Sequence, residues 1–280
     1  MSMSGKGKNV LLWLLAIVLT ISLVIYQRAT GPTYPVKGKT EIGGELIKYR
    51  LIRSFMGERD AAIEITVPND EIAGEITYKR FKSHDTWTTV SMDYSKGKLV
   101  GMLPSQPPAG KIEYTVKLIH HGKSYQLTED PVVIRYTGSV PLAILSPHIF
   151  FMFLSLLFGI RVALELLFKG KDALFLSGVV VITLLLGGLI LGPLVQKYAF
   201  DAYWTGWPFG HDLTDNKTIV SFVLWVIAWF SLRKNSSNKL WPTLAIIGMM
   251  AVYLIPHSVL GSEIDHTKTE NQSVEQPLNN

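Results

Sequence analysis

The hydrophobic positions of the chain follow two different patterns. Long apolar runs with few charges occupy approximately residues 10–26, 144–168, 173–193, 218–232 and 240–260. A helix needs about 20 mainly apolar residues to cross the hydrocarbon core of a bilayer, so these runs predict five transmembrane helices. Residues 38–137 instead alternate hydrophobic and polar positions in short segments that end at turn residues. That alternation predicts β-strands with one face in a core.

The alternating region predicts an all-β domain. Residues 62–67 and 112–118 alternate most clearly, and turn sequences such as Pro68-Asn69-Asp70 separate the segments. Roughly seven or eight candidate strands at this spacing, without a convincing helix, predict an antiparallel β-sandwich.

One stretch of this region carries a family resemblance. The sequence LPSQPPAGKIEYTVKL, residues 103–118, places a turn containing proline and glycine before a strand that carries Tyr114. This arrangement resembles the fibronectin type III and immunoglobulin-like pattern, which would cover residues 38–137. The resemblance implies that Tyr114 is a corner tyrosine whose hydroxyl caps the preceding turn, and it implies partner binding, not a reaction. The chain has no cysteine, so the disulfide of antibody domains is excluded.

Basic residues beside the apolar runs predict the orientation. Lys169-Gly170-Lys171 separates the second and third runs, and the basic segment 233–239 separates the fourth and fifth. Cytoplasmic loops carry an excess of lysine and arginine. Both segments and the N-terminus are therefore predicted to be cytoplasmic, and the C-terminus extracytoplasmic. The first run is predicted to remain as an anchor, because Arg28 stands where a signal peptide needs small residues. A cleaved signal peptide is the alternative.

The predicted fold class is a membrane protein with an all-β, immunoglobulin-like sandwich between an N-terminal anchor helix and a four-helix transmembrane region. Residues 1–30 form the anchor, residues 31–140 form the periplasmic β-domain, and residues 141–260 form the four helices, with an aromatic-rich outer loop at 194–217. The polar tail, residues 261–280, has no periodicity and is predicted to be disordered. The predicted location is a bacterial-type inner membrane.

Composition removes several classes of function. The net charge is +5, and much of the excess lies beside the apolar runs, so it indicates a membrane and not nucleic acid. The absence of cysteine excludes iron–sulfur ligation, thiolate metal sites and a cysteine nucleophile. No G-x-S-x-G, serine–lysine or phosphate-loop motif stands out. These absences favour a non-enzymatic role and leave the question of an enzyme open.

The tract GWPFGHDLTDNKT, residues 206–218, has a structural interpretation. Pro208 and Gly210 predict a turn between two spans, and the aromatic residues predict an anchor at the headgroup level of a bilayer. Thr214 or Asp215 is predicted to be the N-cap of the following helix.

The same tract also has a functional interpretation. The predicted topology places His148, His211 and His257 at one depth on the outer face, with Asp212 and Asp215 near in sequence. Three imidazoles and a carboxylate could hold zinc, copper or non-haem iron, and two imidazoles could ligate a haem. Separate structural histidines are the alternative, because no HxxxH or HExxH spacing supports a shared site.

Three smaller features complete the set of candidates. Gly188 and Gly192 form a GxxxG pair that predicts close helix packing within the bundle. Arg161 and Glu165, one helical turn apart, are predicted to be either a functional pair or a local ion pair that extends toward the interface. The neighbours His120 and His121 are interpreted as polar residues of a hairpin turn.

Two functions from different classes follow from these features. The first is a membrane-integral interaction or assembly subunit, whose immunoglobulin-like domain engages another membrane or extracytoplasmic protein. The alternative is a metal- or haem-binding redox component, or a metal-assisted membrane hydrolase, that uses the outer-face histidines. Both hypotheses make the lipid bilayer a partner of the chain.

Overall fold

A computed structural model of the chain describes residues 5–255 and 263–268. It divides into two compact units. The helical unit comprises Met1–Pro32 and Val140–Gly261, and the β unit comprises Thr33–Ser139 and Ser262–Asn280. Each unit has an apolar core of its own.

The helical unit is built from long apolar helices. They are α1 (Gly5–Thr30), α2 (Leu142–Leu167), α3 (Ala173–Leu184), a π segment (Leu185–Leu191), α4 (Gly192–Phe200), α5 (Leu213–Lys234) and α6 (Leu240–Leu254). The π segment joins α3 to α4 as one stretch of 28 residues, Ala173–Phe200. Within the described residues, this stretch, α1, α2 and α5 are long and apolar enough to cross a membrane. Helix α6 has 15 described residues, so the structure supports four of the five predicted spans by length.

The β unit contains strands but no helix in its main segment. The described strands are β1 (Val36–Ile42), β2 (Glu45–Leu51), β3 (Ser54–Met56), β4 (Ala61–Thr66), β5 (Ile72–Arg80), β6 (Thr88–Ser91), β7 (Asp93–Ser95), β8 (Lys98–Leu103), β9 (Lys111–His120), β10 (Lys123–Gln126) and β11 (Val132–Thr137). One sheet has the order β3-β11-β9-β5-β6, with β10 paired to β9, a second has the order β4-β8-β7, and β1 pairs with β2. The region is therefore rich in sheet, as its alternation predicts.

Alternation along the strands places one face of each sheet in a common core. On β9, Ile112, Tyr114, Val116 and Leu118 are fully buried, whereas the residues between them are partly exposed. Strand β9 pairs antiparallel with β5 along almost its whole length, from Ile72 opposite His120 to Arg80 opposite Ile112. Burial of each large apolar side chain contributes about 1.5–3 kcal/mol, so a slip of one residue in this register would be strongly unfavourable.

The hydroxyl of Tyr114 does not cap the turn before it, so that prediction is wrong. It donates a hydrogen bond to Ile52 O at 2.8 Å. The turn needs no such cap, because its backbone is already paired: Gly110 N donates to Pro107 O, and Ala109 N donates to Tyr136 O. Burial raises the pKa of Tyr114 above its ordinary value. The tyrosine therefore ties β9 to the segment between β2 and β3.

Arg161 and Glu165 of α2 form a fully buried ion pair. Arg161 Nη1 lies 2.5 Å from Glu165 Oε1, and the two side chains are 2% and 3% exposed, so the local ion pair is buried within the unit. Helix α1 covers it, because Arg161 Nη2 donates to Asn9 Oδ1 at 2.6 Å and the guanidinium lies over the ring of Trp13. The backbone N–H of Asp172 donates to Glu165 Oε2 at 3.3 Å. The pair thus joins α1, α2 and the loop that leads to α3.

Part of the tail packs against the β unit. Glu263 forms ion pairs with Lys82 and Lys111, and Thr267 N donates to Lys82 O at 3.2 Å. Burial acts to raise the pKa of Glu263, but the hydrogen bonds from Lys111 and Lys82 outweigh it and hold this pKa below its ordinary value. Disorder is predicted for the whole tail, residues 261–280, and the structure describes residues 263–268 of it.

Candidate functional site

The side chain of Asp215 binds the backbone of the loop between α4 and α5. It lies in the first turn of α5 and is buried. Its Oδ2 accepts hydrogen bonds from Thr205 N at 2.7 Å and from Gly206 N at 3.0 Å. A Cβ atom on Gly206 would stand 2.6 Å from the Cβ of Asp215, so only glycine allows this approach. The carboxylate also lies at the positive end of the helix dipole, and it holds the preceding loop against the helix.

The N-cap of α5 is Asp212, not Thr214 or Asp215, so the predicted cap is wrong by two or three positions. Asp212 Oδ1 accepts a hydrogen bond from Thr214 N at 2.8 Å. Asn216 Oδ1 accepts one from Trp207 N at 2.6 Å. A polar residue stands at each of several neighbouring positions, and the loop geometry decides which one caps the helix.

Lys217 is a buried lysine that the sequence interpretation missed. It shares one face of α5 with Ser221 and Trp225, at a spacing of four residues, and all three side chains are buried. Lys217 Nζ donates to Ile255 O at 3.0 Å, at the carboxyl end of α6. In the described residues no carboxylate oxygen lies within 4.0 Å of this nitrogen. The signal in the sequence is the i, i+4 spacing of Lys217 and Ser221, which places both side chains on the helix face that carries Trp225.

His148 of α2 binds the backbone of the π segment. Its Nδ1 lies 2.9 Å from Gly187 O. Because a carbonyl only accepts, Nδ1 carries the hydrogen, and Nε2 is the ring nitrogen that would meet a ligand. Gly187 O also accepts the backbone N–H of Gly192, five residues on, as expected of π geometry. The imidazole thus supplies a second donor where the α-helical pattern is interrupted.

The glycines of the π segment allow helices to approach closely. A Cβ on Gly187 would stand 2.9 Å from Phe151 Cβ, and one on Gly188 would stand 2.8 Å from Thr218 Cγ2. A Cβ on Gly192 would meet its neighbours at ordinary contact distances of 3.5–4.0 Å. The close approach therefore involves Gly188 of the predicted pair and its neighbour Gly187, but not Gly192, and it occurs within this chain.

The predicted metal set is only partly described. His148 binds Gly187, His211 is exposed, and His257 lies outside the described residues. Asp212 Oδ2 and Asp215 Oδ2 both lie near the hydroxyl of Thr205, at 3.3 and 3.4 Å. These contacts bring the two carboxylates to one loop and fix the ring of His148. Convergence of the three histidines stays a prediction.

A different group of metal-ligating side chains is present in the β unit. Among the described residues, Glu71, His120 and His121 each place one ligand atom within 4.8 Å of the other two. The strand register explains this, because Ile72, next to Glu71, pairs with His120. The imidazole rings are 4.0 Å apart between centroids, and His120 Nε2 lies 3.9 Å from Glu71 Oε2. Two imidazoles and a carboxylate are donors that suit zinc or copper.

No family model, curated protein sequence or solved structure matches the chain.

Proposed function

We propose that the chain is a membrane-integral interaction or assembly subunit that presents an immunoglobulin-like β-domain on the extracytoplasmic face of a bacterial-type inner membrane. In this proposal the helical unit anchors the chain and docks within a larger assembly. The β unit engages a second membrane or extracytoplasmic protein.

The observation that carries the proposal is the exposed apolar surface of α1. Leu14, Val18, Ile21 and Ile25 are 53–61% exposed, and their spacing of four, three and four residues places them on one side of the helix. Contiguous apolar surface of this kind lies against lipid or another protein. The charged pair of α2, Arg161 and Glu165, is instead turned inward, which is the arrangement a bilayer requires.

Two further observations support the orientation and the kind of domain. The loop from α2 to α3 and the loop from α5 to α6 hold the lysines and arginines that the positive-inside rule places in the cytoplasm. The strands of the β unit bury one common core without a disulfide, as a fibronectin type III-like sandwich does. Large apolar side chains on its surface, Leu46, Trp87 and Met102, are 45–54% exposed and suit contacts with a partner.

Cysteine labelling tests the topology directly, because the natural chain has no cysteine. Ser95→Cys lies on exposed strand β7, and Lys234→Cys lies exposed at the end of α5. We expect a membrane-impermeant maleimide to label Ser95→Cys in intact cells and Lys234→Cys only after the membrane is opened. The reverse pattern would invert the orientation, and equal labelling of both in intact cells would contradict a membrane-spanning helical unit.

Site-specific photocrosslinking tests partner binding. A photoreactive amino acid at Trp87 or Met102 is expected to give one reproducible protein adduct in native membranes, and the same group at Lys96, in the turn before β8, is the control. The readout is the difference in adduct yield between these positions, so no competition experiment with purified β-domain variants is needed. Adducts of equal yield at all three positions, or none at any, would count against the proposal.

The second candidate function is metal dependent, and the group formed by Glu71, His120 and His121 favours it. Such a role, like the redox or hydrolase role proposed for His148, His211 and His257, needs bound metal or haem. Elemental analysis and an absorption spectrum of untagged protein test both. Loss of metal in a His120→Gln/His121→Gln variant would assign the β unit, loss in His148→Gln would assign the helical unit, and His84→Gln is the matched control.

A further inference from the structure

A cavity opens at the end of the helical unit opposite the tract of Asp215. It has a volume of about 320 Å³ and lies where the loop from α2 to α3 meets the loop from α5 to α6. Lys169 and Lys171 line it from the first loop, and Ser236, Ser237 and Lys239 line it from the second. All of these residues belong to one unit, so the cavity is a feature of the helical bundle itself.

Three lysines bring positive charge to the cavity. In the described residues no carboxylate oxygen lies within 4.0 Å of the ammonium group of Lys169, Lys171 or Lys239. Glu165 also lines the cavity, but its carboxylate pairs with Arg161 at 2.5 Å and is buried. This glutamate therefore pairs with the arginine, and in the described residues none of the three lysines forms an ion pair with a carboxylate.

Neutral hydrogen-bond donors add to this charge. The hydroxyls of Ser236 and Ser237 line the same cavity, and both residues are exposed. Helices α3 and α6, with 12 and 15 residues, both begin at its wall, at Ala173 and next to Lys239. Helix N-termini favour negative charge because their first amide groups and the helix dipole point toward it. Lysines, hydroxyls and two helix starts together are the donor set of a phosphate site.

Apolar surface next to the cavity indicates the kind of molecule that carries the phosphate. Leu174 is part of the cavity wall and is 36% exposed, and the neighbouring Phe175 is 71% exposed. Acyl chains could lie along these side chains while a headgroup occupies the cavity. Basic pockets between membrane helices on the cytoplasmic side bind anionic headgroups in this way.

We propose that this cavity binds a phosphate group, and that the source of the phosphate is an anionic phospholipid of the membrane. The lipid source rests on the proposed membrane location of the helical unit. A free phosphate ion has the same chemistry, so separate titrations with a phospholipid and with inorganic phosphate distinguish the two sources. The lysines act as binding residues that hold the phosphate by charge, each with an expected contribution of about fivefold in affinity.

Thermal unfolding of the full chain in a neutral detergent measures binding to the cavity. The chain has 7 tryptophans, whose fluorescence reports the unfolding midpoint. The probes are dioctanoyl phosphatidic acid, dioctanoyl phosphatidylcholine and inorganic phosphate, each titrated separately. Ligands that bind only the folded state raise the midpoint with concentration. We expect phosphatidic acid to raise it, and phosphatidylcholine and inorganic phosphate to leave it unchanged over the same range.

Two double variants with the same loss of charge test the location. Lys171→Gln/Lys239→Gln removes two cavity lysines, and we expect the half-saturating concentration of phosphatidic acid to rise roughly 25-fold. Arg233→Gln/Lys234→Gln removes two charges from the end of α5, which do not line the cavity, and should change that concentration less than about twofold. Should the first variant unfold without ligand, the single changes Lys171→Gln and Lys239→Gln carry the comparison.

Each outcome has one meaning. Equal stabilisation by inorganic phosphate would keep the phosphate site and overturn the lipid source. Absence of stabilisation by every probe, or an equal loss in both double variants, would overturn the site. The labelling of Ser95→Cys and Lys234→Cys is independent of these titrations, so failure of the proposed topology and failure of the phosphate site are distinguishable.

Discussion

The buried pair of Arg161 and Glu165 gives the sharpest prediction for the stability of the helical unit. Replacing either partner alone leaves the other charge buried among apolar side chains. Arg161→Met leaves the Glu165 carboxylate with the backbone N–H of Asp172 as a donor, at 3.3 Å. Glu165→Leu leaves the guanidinium with Asn9 and the ring of Trp13. Neither remaining contact supplies an opposite charge.

The expected magnitudes follow from this burial. Removing one partner of a buried pair costs about 3–5 kcal/mol, whereas replacing both with apolar residues of similar size is often close to neutral. We expect each single variant to lose about 3 kcal/mol or more in the free energy of unfolding, and Arg161→Met/Glu165→Leu to lose less than about 2 kcal/mol. The coupling energy between the two positions is then on the order of 4 kcal/mol or more, above the usual range for neighbouring residues.

A second pair in the same unit provides the control. Lys197 and Asp201 have the same i, i+4 spacing and lie 2.6 Å apart, but their side chains are 39% and 79% exposed. An exposed pair of this kind contributes about 0–1 kcal/mol, so its cycle should show little coupling. Unfolding of detergent-purified variants is followed by heat or denaturant. Single variants at Arg161 and Glu165 as stable as the wild type, or losses that simply add in the double variant, would refute the reasoning.

Three further predictions concern single contacts. Tyr114→Phe removes the hydrogen bond to Ile52 O and should cost about 1–3 kcal/mol, measured as faster hydrogen exchange in peptides around residue 52; unchanged exchange would exclude a stabilising bond. Gly188→Ala forces a Cβ into a 2.8 Å contact and should cost about 1–3 kcal/mol, whereas Gly192→Ala should be nearly neutral; equal unfolding midpoints for the two variants would contradict the close approach. Because the pKa of Glu263 is lowered by its lysines from 4.5, the stability it gives is fully present above that pH and is lost as pH falls through the lowered pKa; proteolysis of the tail should therefore accelerate at acid pH in the wild type but not in Glu263→Gln.

The periodic elements of the fold are predictable from the sequence because burial imposes its period on the side chains. The alternation of residues 112–118 corresponds to strand β9, and the apolar run at 144–168 corresponds to α2, Leu142–Leu167. Exact ends are not predictable in the same way. The α5 cap falls on Asp212 because Thr205 and Gly206 fold back onto Asp215, and this loop closure has no sequence period.

The contacts of the candidate site depend on pairs of residues far apart in the chain. The bond from His148 to Gly187 spans 39 residues and requires a π segment that local pattern does not reveal. The grouping of Glu71 with His120 requires the pairing of β5 with β9, whose partners are separated by a long loop and other strands. The sequence shows that such residues could act as hydrogen-bond donors or metal ligands. Only the strand register and the helix packing decide which of them come into contact.

Two basic side chains of the helical unit differ from the cavity lysines in what they bind. Near the carboxyl terminus of α6, His148 donates to the carbonyl of Gly187 and Lys217 donates to that of Ile255. Carbonyls at helix ends and in a π segment lack some of their usual partners, and in an apolar environment an unpaired carbonyl is costly. These two residues therefore stabilise the fold. The lysines of the cavity at the opposite end form no ion pair with a carboxylate in the described residues, which supports the proposed phosphate site.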